Sequence, residues 1–402
     1  MADLAQSVAF DAWIDEARAV DLVGYARARS PDLRRQGSEW VGPCPACGGR
    51  DRFSVAPRKG VFHCRAAGRG GDVIALAQYV EGLDFLGAVA SLTGRPAPGR
   101  DIAETPEDRA RRQAAQEARQ AAVAAEAHAR KVAEDSFRMA EIKRARKFWV
   151  AAGPVVLGSA AAAYLRQRGE LMAPPGAHLR FSPAHPYVQP GHGGRPHRVL
   201  HVGPALLAGL TGADGRFCGV HQTWIDLTRA DGKAVVPDPD TGEILPAKKV
   251  RGSVHGARIE LVRVAEPHTL ILGEGIETCL SVYQALRARD LPLWREAAVW
   301  SSVSLGNLSG RALDRVRHPS RFDARGRPAL TRGPTPDLDS QCLAIPDAVD
   351  LVILLGDGDS DPFDTEMALT RARARLARPG RHVGIAWAEP GHDFNDMLRS
   401  AA

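Results

Sequence analysis

"LVILLGDGDSD", residues 351 to 361, is an apolar run of strand length that ends abruptly in glycine and aspartate. Five large aliphatic residues without polar alternation fit a strand buried on both faces, the kind that sits in a parallel sheet between helices. The residues that follow, "FDTEMALTRARARLA", read as a helix. The same rhythm runs through the last third of the chain. "HTLILG" leads into "IETCLSVYQALRAR", "AAVWSSVS" into "SGRALDRVR", and "RHVGIAWA" comes last. Such alternation predicts an α/β domain with a mainly parallel sheet over residues 263–402. A Pro- and Arg-rich insert, about 318–346, reads as a loop within it.

In parallel sheets of this type, ligands bind beyond the strand C-termini. "LILGEGIE" puts Glu274 at one such end, and "GDGDSD" puts Asp357 and Asp359 at another, with Asp361 just beyond. "HDFNDML" offers Asp393 and Asp396 as auxiliary acids. Taken singly, each is an ordinary loop acid, and Glu277 does no more than favour a helix N-terminus. Brought together, the carboxylates repel one another and call for a cation. Mg²⁺ or Mn²⁺ suits them, because hard ions take oxygen ligands and hold substrate phosphates as well.

The remaining 262 residues are of a different character. Across all 402 residues, hydrophobic side chains make up 44% and charged ones 25%, which excludes wholesale disorder and leaves room for two or three domains. No apolar run reaches the roughly 20 residues a bilayer needs, and "MADLAQSVAFDAWIDEARAV" lacks the basic start of a secretory signal. The expectation is a cytoplasmic protein without a membrane. A net charge of +6 allows a polyanionic partner.

Three of the six cysteines fall in "CPACGGRDRFSVAPRKGVFHC", residues 44 to 64. A Cys-x-x-Cys turn followed some fifteen residues later by a second thiol pair is zinc-ribbon spacing. Cys44, Cys47 and Cys64 meet it, but Ala67 stands where a fourth cysteine belongs. His63, a water, a remote histidine or a degenerate site are the alternatives for the fourth position. Arg50, Arg52, Arg58, Lys59, Arg65 and Arg69 surround the cysteines, with Trp40, Phe53 and Phe62 between them. Basic groups contact phosphates and aromatics stack on unpaired bases, unless the rings fill a small core.

The organisation expected is an N-terminal helix (1–36), a small zinc-binding domain (37–98), a long charged linker helix (99–149) capped by Thr105, a strand-rich region (150–262), and the α/β domain. "DVIALAQYVEGLDFLGAVASLTG" reads as two short helices broken near Gly82. In the strand-rich region, "AKKVRGSVHG" presents Lys248, Lys249 and Arg251, and "GVHQTWIDL" presents His221, as candidate contacts for nucleotide or template.

Two resemblances follow from these motifs. Residues 266 to 398, with "EG" at Glu274 and paired aspartates at 357 and 359, resemble a Toprim domain, the metal-binding fold shared by primases, type IA and II topoisomerases and some nucleases. Residues 37 to 95, including the "GGD" of Gly70, Gly71 and Asp72, resemble the zinc-binding domain of bacterial and phage primases. "GEGIETCLS" is similar to primase-like proteins of phages, plasmids and integrated elements. The resemblance implies a DNA primase with structural Zn²⁺ and catalytic Mg²⁺ at Glu274, Asp357 and Asp359. It implies that residues 150–262 form the N-terminal part of the primase core. It also implies single-stranded DNA template and nucleoside triphosphates as partners. No Walker A sequence is present, so a replicative helicase is expected as a separate partner. A Toprim-type nuclease and a non-catalytic single-strand-binding protein are the competing readings.

Overall fold

The computed structural model describes residues 2–98, 106–189 and 197–400, so Thr105 lies outside the described residues. The chain divides into two compact units, Met1–Ser136 and Phe137–Ala402. The expected long helix, Pro106–Ala151, spans 46 residues and crosses that division. Among the described residues no single helix is long and apolar enough to cross a membrane.

In the first unit five antiparallel strands lie in sequence order: Arg34–Gln36, Glu39–Cys44, Gly48–Ala56, Val61–Cys64 and Arg69–Gly71. The Gly70 and Gly71 of "GGD" are explained by this ribbon. A Cβ at Gly70 would come within 2.9 Å of the Phe62 carbonyl oxygen on the neighbouring strand. Asp72 then caps helix Val73–Glu81, its carboxylate accepting from the Ala75 N–H. The predicted break falls at Gly82, in the left-handed conformation at φ +69°, before helix Phe85–Thr93. Residues 1–36 do not stand apart as a segment of their own. Trp13 and Ala17 of helix Ala2–Arg18 share one core with Phe53, Val55, Phe62, Ile74 and Leu76. The apolar helix face that the sequence shows at Trp13 and Ala17 has to be covered, and the ribbon's helices cover it.

The second unit contains two five-stranded sheets. The first is antiparallel, in the order Lys248–Gly252, Phe217–Trp224, Arg198–Thr211, Leu179–Gln189, Gly153–Pro154. The second runs Ile259–Val262, Ala297–Ser301, Thr269–Gly273, Leu351–Gly356, His382–Trp387, the last four parallel and the first antiparallel. Strand Thr269–Gly273 shows why the run is continuously apolar. Leu270 and Leu272 pack with Leu369 and Ala372 of helix Pro362–Leu376. Ile271, on the other face, packs with Ile276, Cys279 and Leu280 of helix Ile276–Ala288.

Two expected boundaries are corrected. A division at 262/263 would strip Ile259–Val262 from the sheet it edges, and a single core joins Leu206 and Leu210 to Ile259, Leu261, Ile271 and Leu280. Residues 150–262 and 263–402 therefore share one core. The insert near 318–346 is also partly regular: Arg315–Phe322 pairs antiparallel with Pro328–Arg332 around a turn in which Gly326 has φ +71°.

Candidate metal centres

The acids at the strand ends lie close enough to act on one another's charge. Glu274 leaves strand Thr269–Gly273 and Asp357 leaves the adjacent, parallel Leu351–Gly356. Burial raises the Glu274 pKa, and the charge of Asp359 adds to it. Asp357 is pushed up to about 7, first by burial and then by Asp393, Asp359 and Glu274. The Thr278 hydroxyl donates to both Asp357 oxygens at 3.2 and 3.3 Å. Asp393 reaches this group because the loop after Asp357 lies flat on residues 389–392: Gly358 N–H bonds to the His392 carbonyl at 2.9 Å, and Gly391 N–H returns to Gly358. A Cβ at Gly358 would sit 2.3 Å from the Glu389 carbonyl oxygen, so only glycine permits the contact. The carboxylate oxygens of Glu274, Asp357 and Asp359 do not all lie within 4.8 Å of one another.

Two acids serve elsewhere. Asp361 caps helix Pro362–Leu376, accepting from the Phe363 and Asp364 N–H groups and from His318 Nε2 at 3.0 Å. The Nδ1 of His318 accepts from the Ser320 and Arg321 backbone, which fixes Nε2 as the protonated nitrogen. Asp396 points back to the Asp393 N–H at 3.5 Å while its own N–H bonds the Asp393 carboxylate, a capping box on helix Phe394–Ser400. Asp361 also groups with His318 and Asp364 in an arrangement that could hold an ion, separate from Glu274 and Asp357.

The four basic candidates separate by strand parity. Lys248 pairs with Glu277 at 2.9 Å, and the hydroxyl of buried Tyr164 bonds the other Glu277 oxygen. Burial acts to raise the Glu277 pKa, but Lys248 and Tyr164 outweigh it and hold the group well below the carboxylate range. Glu277, read from sequence as a bland helix-start acid, is thus the anchor of a buried network. Only its place beside Glu274 hinted at it. The Lys248 ammonium also lowers the Glu274 pKa, which puts it beside the crevice. Lys249 and Arg251 face the opposite side of the sheet. Lys249 donates to the Val188 carbonyl at 2.8 Å over the Tyr187 ring, and Arg251 pairs with Glu141 at 3.2 Å. His221 is buried, and burial, then Lys248, drops its pKa to about 4. Lys249 and Arg251 thus each have a partner on that side and line a pocket with Gln222 and Trp224, while the buried His221 Nδ1 has none.

In the first unit the Sγ atoms of Cys44, Cys47 and Cys64 all lie within 4.8 Å of one another, with Cys47 and Cys64 3.5 Å apart. Zinc bonded to sulfur at about 2.3 Å sets tetrahedral S···S edges of about 3.8 Å, so the thiols suit zinc. The backbone amides of Ala46 and Cys47 favour the Cys44 thiolate, and that of Ala67 favours the Cys64 thiolate. Burial pushes the Cys44 thiol up to about 12. It acts the same way on Cys64, where hydrogen bonds from Ala67, Tyr79 and the other thiols prevail and hold the group at about 7. His63 is not among the donors. On strand Val61–Cys64 exposure alternates, Phe62 and Cys64 in and His63 out, so neighbouring residues cannot both reach one ion. Phe53 and Phe62 are core residues, their ring centroids 5.6 Å apart. Arg50 and Arg65 are exposed and Arg52 is half-buried, on or beside the outward face that carries His63.

The comparisons agree with this first site. Residues 8–102 match the model described as CHC2 zinc finger. The N-terminal unit is similar to the zinc finger that this model describes. The DNA primase of Listeria innocua is 35% identical over 97 residues, 24% of this chain and 14% of that protein. The Geobacillus stearothermophilus primase is 35% identical over 79 residues, 19% and 13% of the two chains. The Mycobacterium tuberculosis primase is 40% identical over 82, or 20% and 12%. The matched segments thus span about one-seventh or less of these primases' length. Residues 139–261 match a domain of unknown function, DUF7146. Among solved structures, the Aquifex aeolicus primase (zinc-binding and RNA polymerase domains) superposes at TM-score 0.33 and 15% identity, covering 96% of this chain and 82% of that one. A DnaG primase catalytic domain bound to single-stranded DNA gives TM-score 0.36 and 14% identity over 67% and 78%. Likenesses this loose fix neither fold nor activity.

Proposed function

We propose that the chain is a DNA primase whose C-terminal sheet is a Toprim domain that joins nucleoside triphosphates on single-stranded DNA. The observation that supports the reading is Glu274 and the Asp357–Asp359 pair at the C-terminal ends of two adjacent parallel strands, with Asp393 beside them from the loop before helix Phe394–Ser400 and Asp357 pushed up to about 7 by burial and these neighbours. A crevice with this charge deficit recruits a divalent cation and, through it, polyphosphate. Mg²⁺ held by Glu274, Asp357 and Asp359 would neutralise charge on the attacking oxygen and the leaving pyrophosphate. The chain's own residues orient the site. Thr278 fixes the Asp357 carboxylate, the Gly358 contact brings Asp393 beside it, and Lys248, held by Glu277, tempers the field on Glu274. The zinc finger grips template through its outward basic face, Arg50, Arg52 and Arg65.

The test is synthesis of short RNA on single-stranded DNA by the purified chain with four nucleoside triphosphates and Mg²⁺, beside Asp357→Asn. Product from the wild type and none from the variant supports the proposal. Metal-dependent loss of the template, without product, moves the assignment to a nuclease. Template binding with no chemistry, unchanged in the variant, leaves a single-strand-binding protein.

A further inference from the structure

The thiol site has three sulfurs, its Cys-x-x-Cys partner position is taken by Ala67, and His63 faces away. A fourth polar atom nevertheless closes the cluster. The Tyr79 hydroxyl lies 3.4 Å from Cys44 Sγ, at the edge of the three-sulfur group. We propose that the Tyr79 phenol oxygen is the fourth donor of this metal site, giving a Cys₃Tyr centre.

Three observations converge. A zinc ion with about 2.3 Å bonds to sulfur and about 2.0 Å to oxygen sets O···S edges of about 3.5 Å, close to the Tyr79–Cys44 separation. The tyrosine is held rigidly: its ring stacks on Phe62 at 6.0 Å and 10°, and Asp72 and Gly82 fix both ends of its helix. Ala67 carries no donor side chain, so the turn after Cys64 leaves one vertex of the site open. The fourth vertex is therefore supplied from the helix packed over the ribbon, and metal binding locks that helix to the sheet. On loading, the three thiols and the phenol each release a proton to solvent, leaving a doubly negative centre.

The experiment uses the full chain, stripped under reducing conditions and reloaded with Zn²⁺ or Co²⁺ at neutral pH. Metal loading should produce the ultraviolet difference band of tyrosinate, one tyrosine per ion. Tyr79→Phe keeps the ring stack, should abolish the band, and should weaken zinc binding by about 100-fold in chelator competition. Tyr79→Cys should recover the affinity, with added thiolate-to-cobalt charge-transfer intensity. Wild-type loading without a tyrosinate band, or Tyr79→Phe binding zinc as tightly as the wild type, would overturn the proposal and give the fourth position to water. The wild-type band decides even if a variant fails to fold. None of these readouts depends on whether the acid crevice transfers nucleotides.

Discussion

Glu277→Gln separates a structural from a substrate-binding role for Lys248. The Glu277 side chain is 8% exposed and Lys248 35%, so the pair is neither a surface bridge nor a fully dry one. Removing one partner of a buried pair costs about 3 to 5 kcal/mol. Solvent at Lys248 reduces this, and glutamine still accepts from Tyr164, so we expect about 2 kcal/mol. In a unit of this size that lowers Tm by about 4 to 8 °C. Calorimetry on the C-terminal unit's transition measures it, and a cycle with Lys248→Met should give a coupling of at least about 1 kcal/mol. The pH dependence has a defined sign. Because the folded Glu277 pKa is depressed, its stabilisation is present above the unfolded value near 4.5 and is lost as pH falls through the folded one. The gap between wild type and Glu277→Gln should therefore shrink on acidification below pH 4.5. If Lys248→Met leaves Tm unchanged while weakening nucleotide binding, the reasoning fails and Lys248 is a free phosphate contact.

Other outcomes follow from the same geometry. Asp357→Asn relieves repulsion among the crevice acids, so without divalent ion it should raise Tm in thermal melts at pH 8, while erasing the stabilisation that Mg²⁺ gives the wild type. Gly358→Ala places a Cβ 2.3 Å from the Glu389 carbonyl oxygen and should separate Asp393 from Asp357, cutting Mg²⁺ affinity measured by calorimetric titration. His63→Ala should retain full zinc content by metal analysis, since the imidazole faces outward. Arg52→Ala should weaken single-stranded DNA binding and reduce the slope of log K against log salt by about 0.7 if it contacts one phosphate.

The sequence carried the parallel sheet because burial on both faces leaves no choice of residue. Leu270, Ile271 and Leu272 alternate between two helices, so every position is apolar and the strand announces itself. The place of Glu274 and Asp357 at strand ends was legible for the same reason, since the strand ends where the apolar run stops. The core that is shared across residue 262 was not legible. Ile259–Val262 pairs antiparallel on the sheet's edge, and a short edge strand with one polar position looks like the strands before it. The hairpin in the insert was hidden by Pro319 and Pro328, which are tolerated because its two strands form a sheet of their own with open edges.

Side-chain roles were lost wherever a period of two decides direction. Lys248 and Lys249 are neighbours in sequence and were read as one basic patch, yet pleating sends one to Glu277 and the other to the Val188 carbonyl across the sheet. His63 and Cys64 pose the same problem on a shorter strand, where adjacency suggested a shared ion and alternation forbids it. The donor that the structure offers instead, Tyr79, is fifteen residues beyond Cys64 on a helix, in "IALAQYVEG", where a tyrosine looks like any core residue. A ribbon keeps its metal only if four donors, or three and a water, close around it. Loss of the fourth cysteine at Ala67 thus directs attention to whichever element packs on the cysteines, and that element is helix Val73–Glu81.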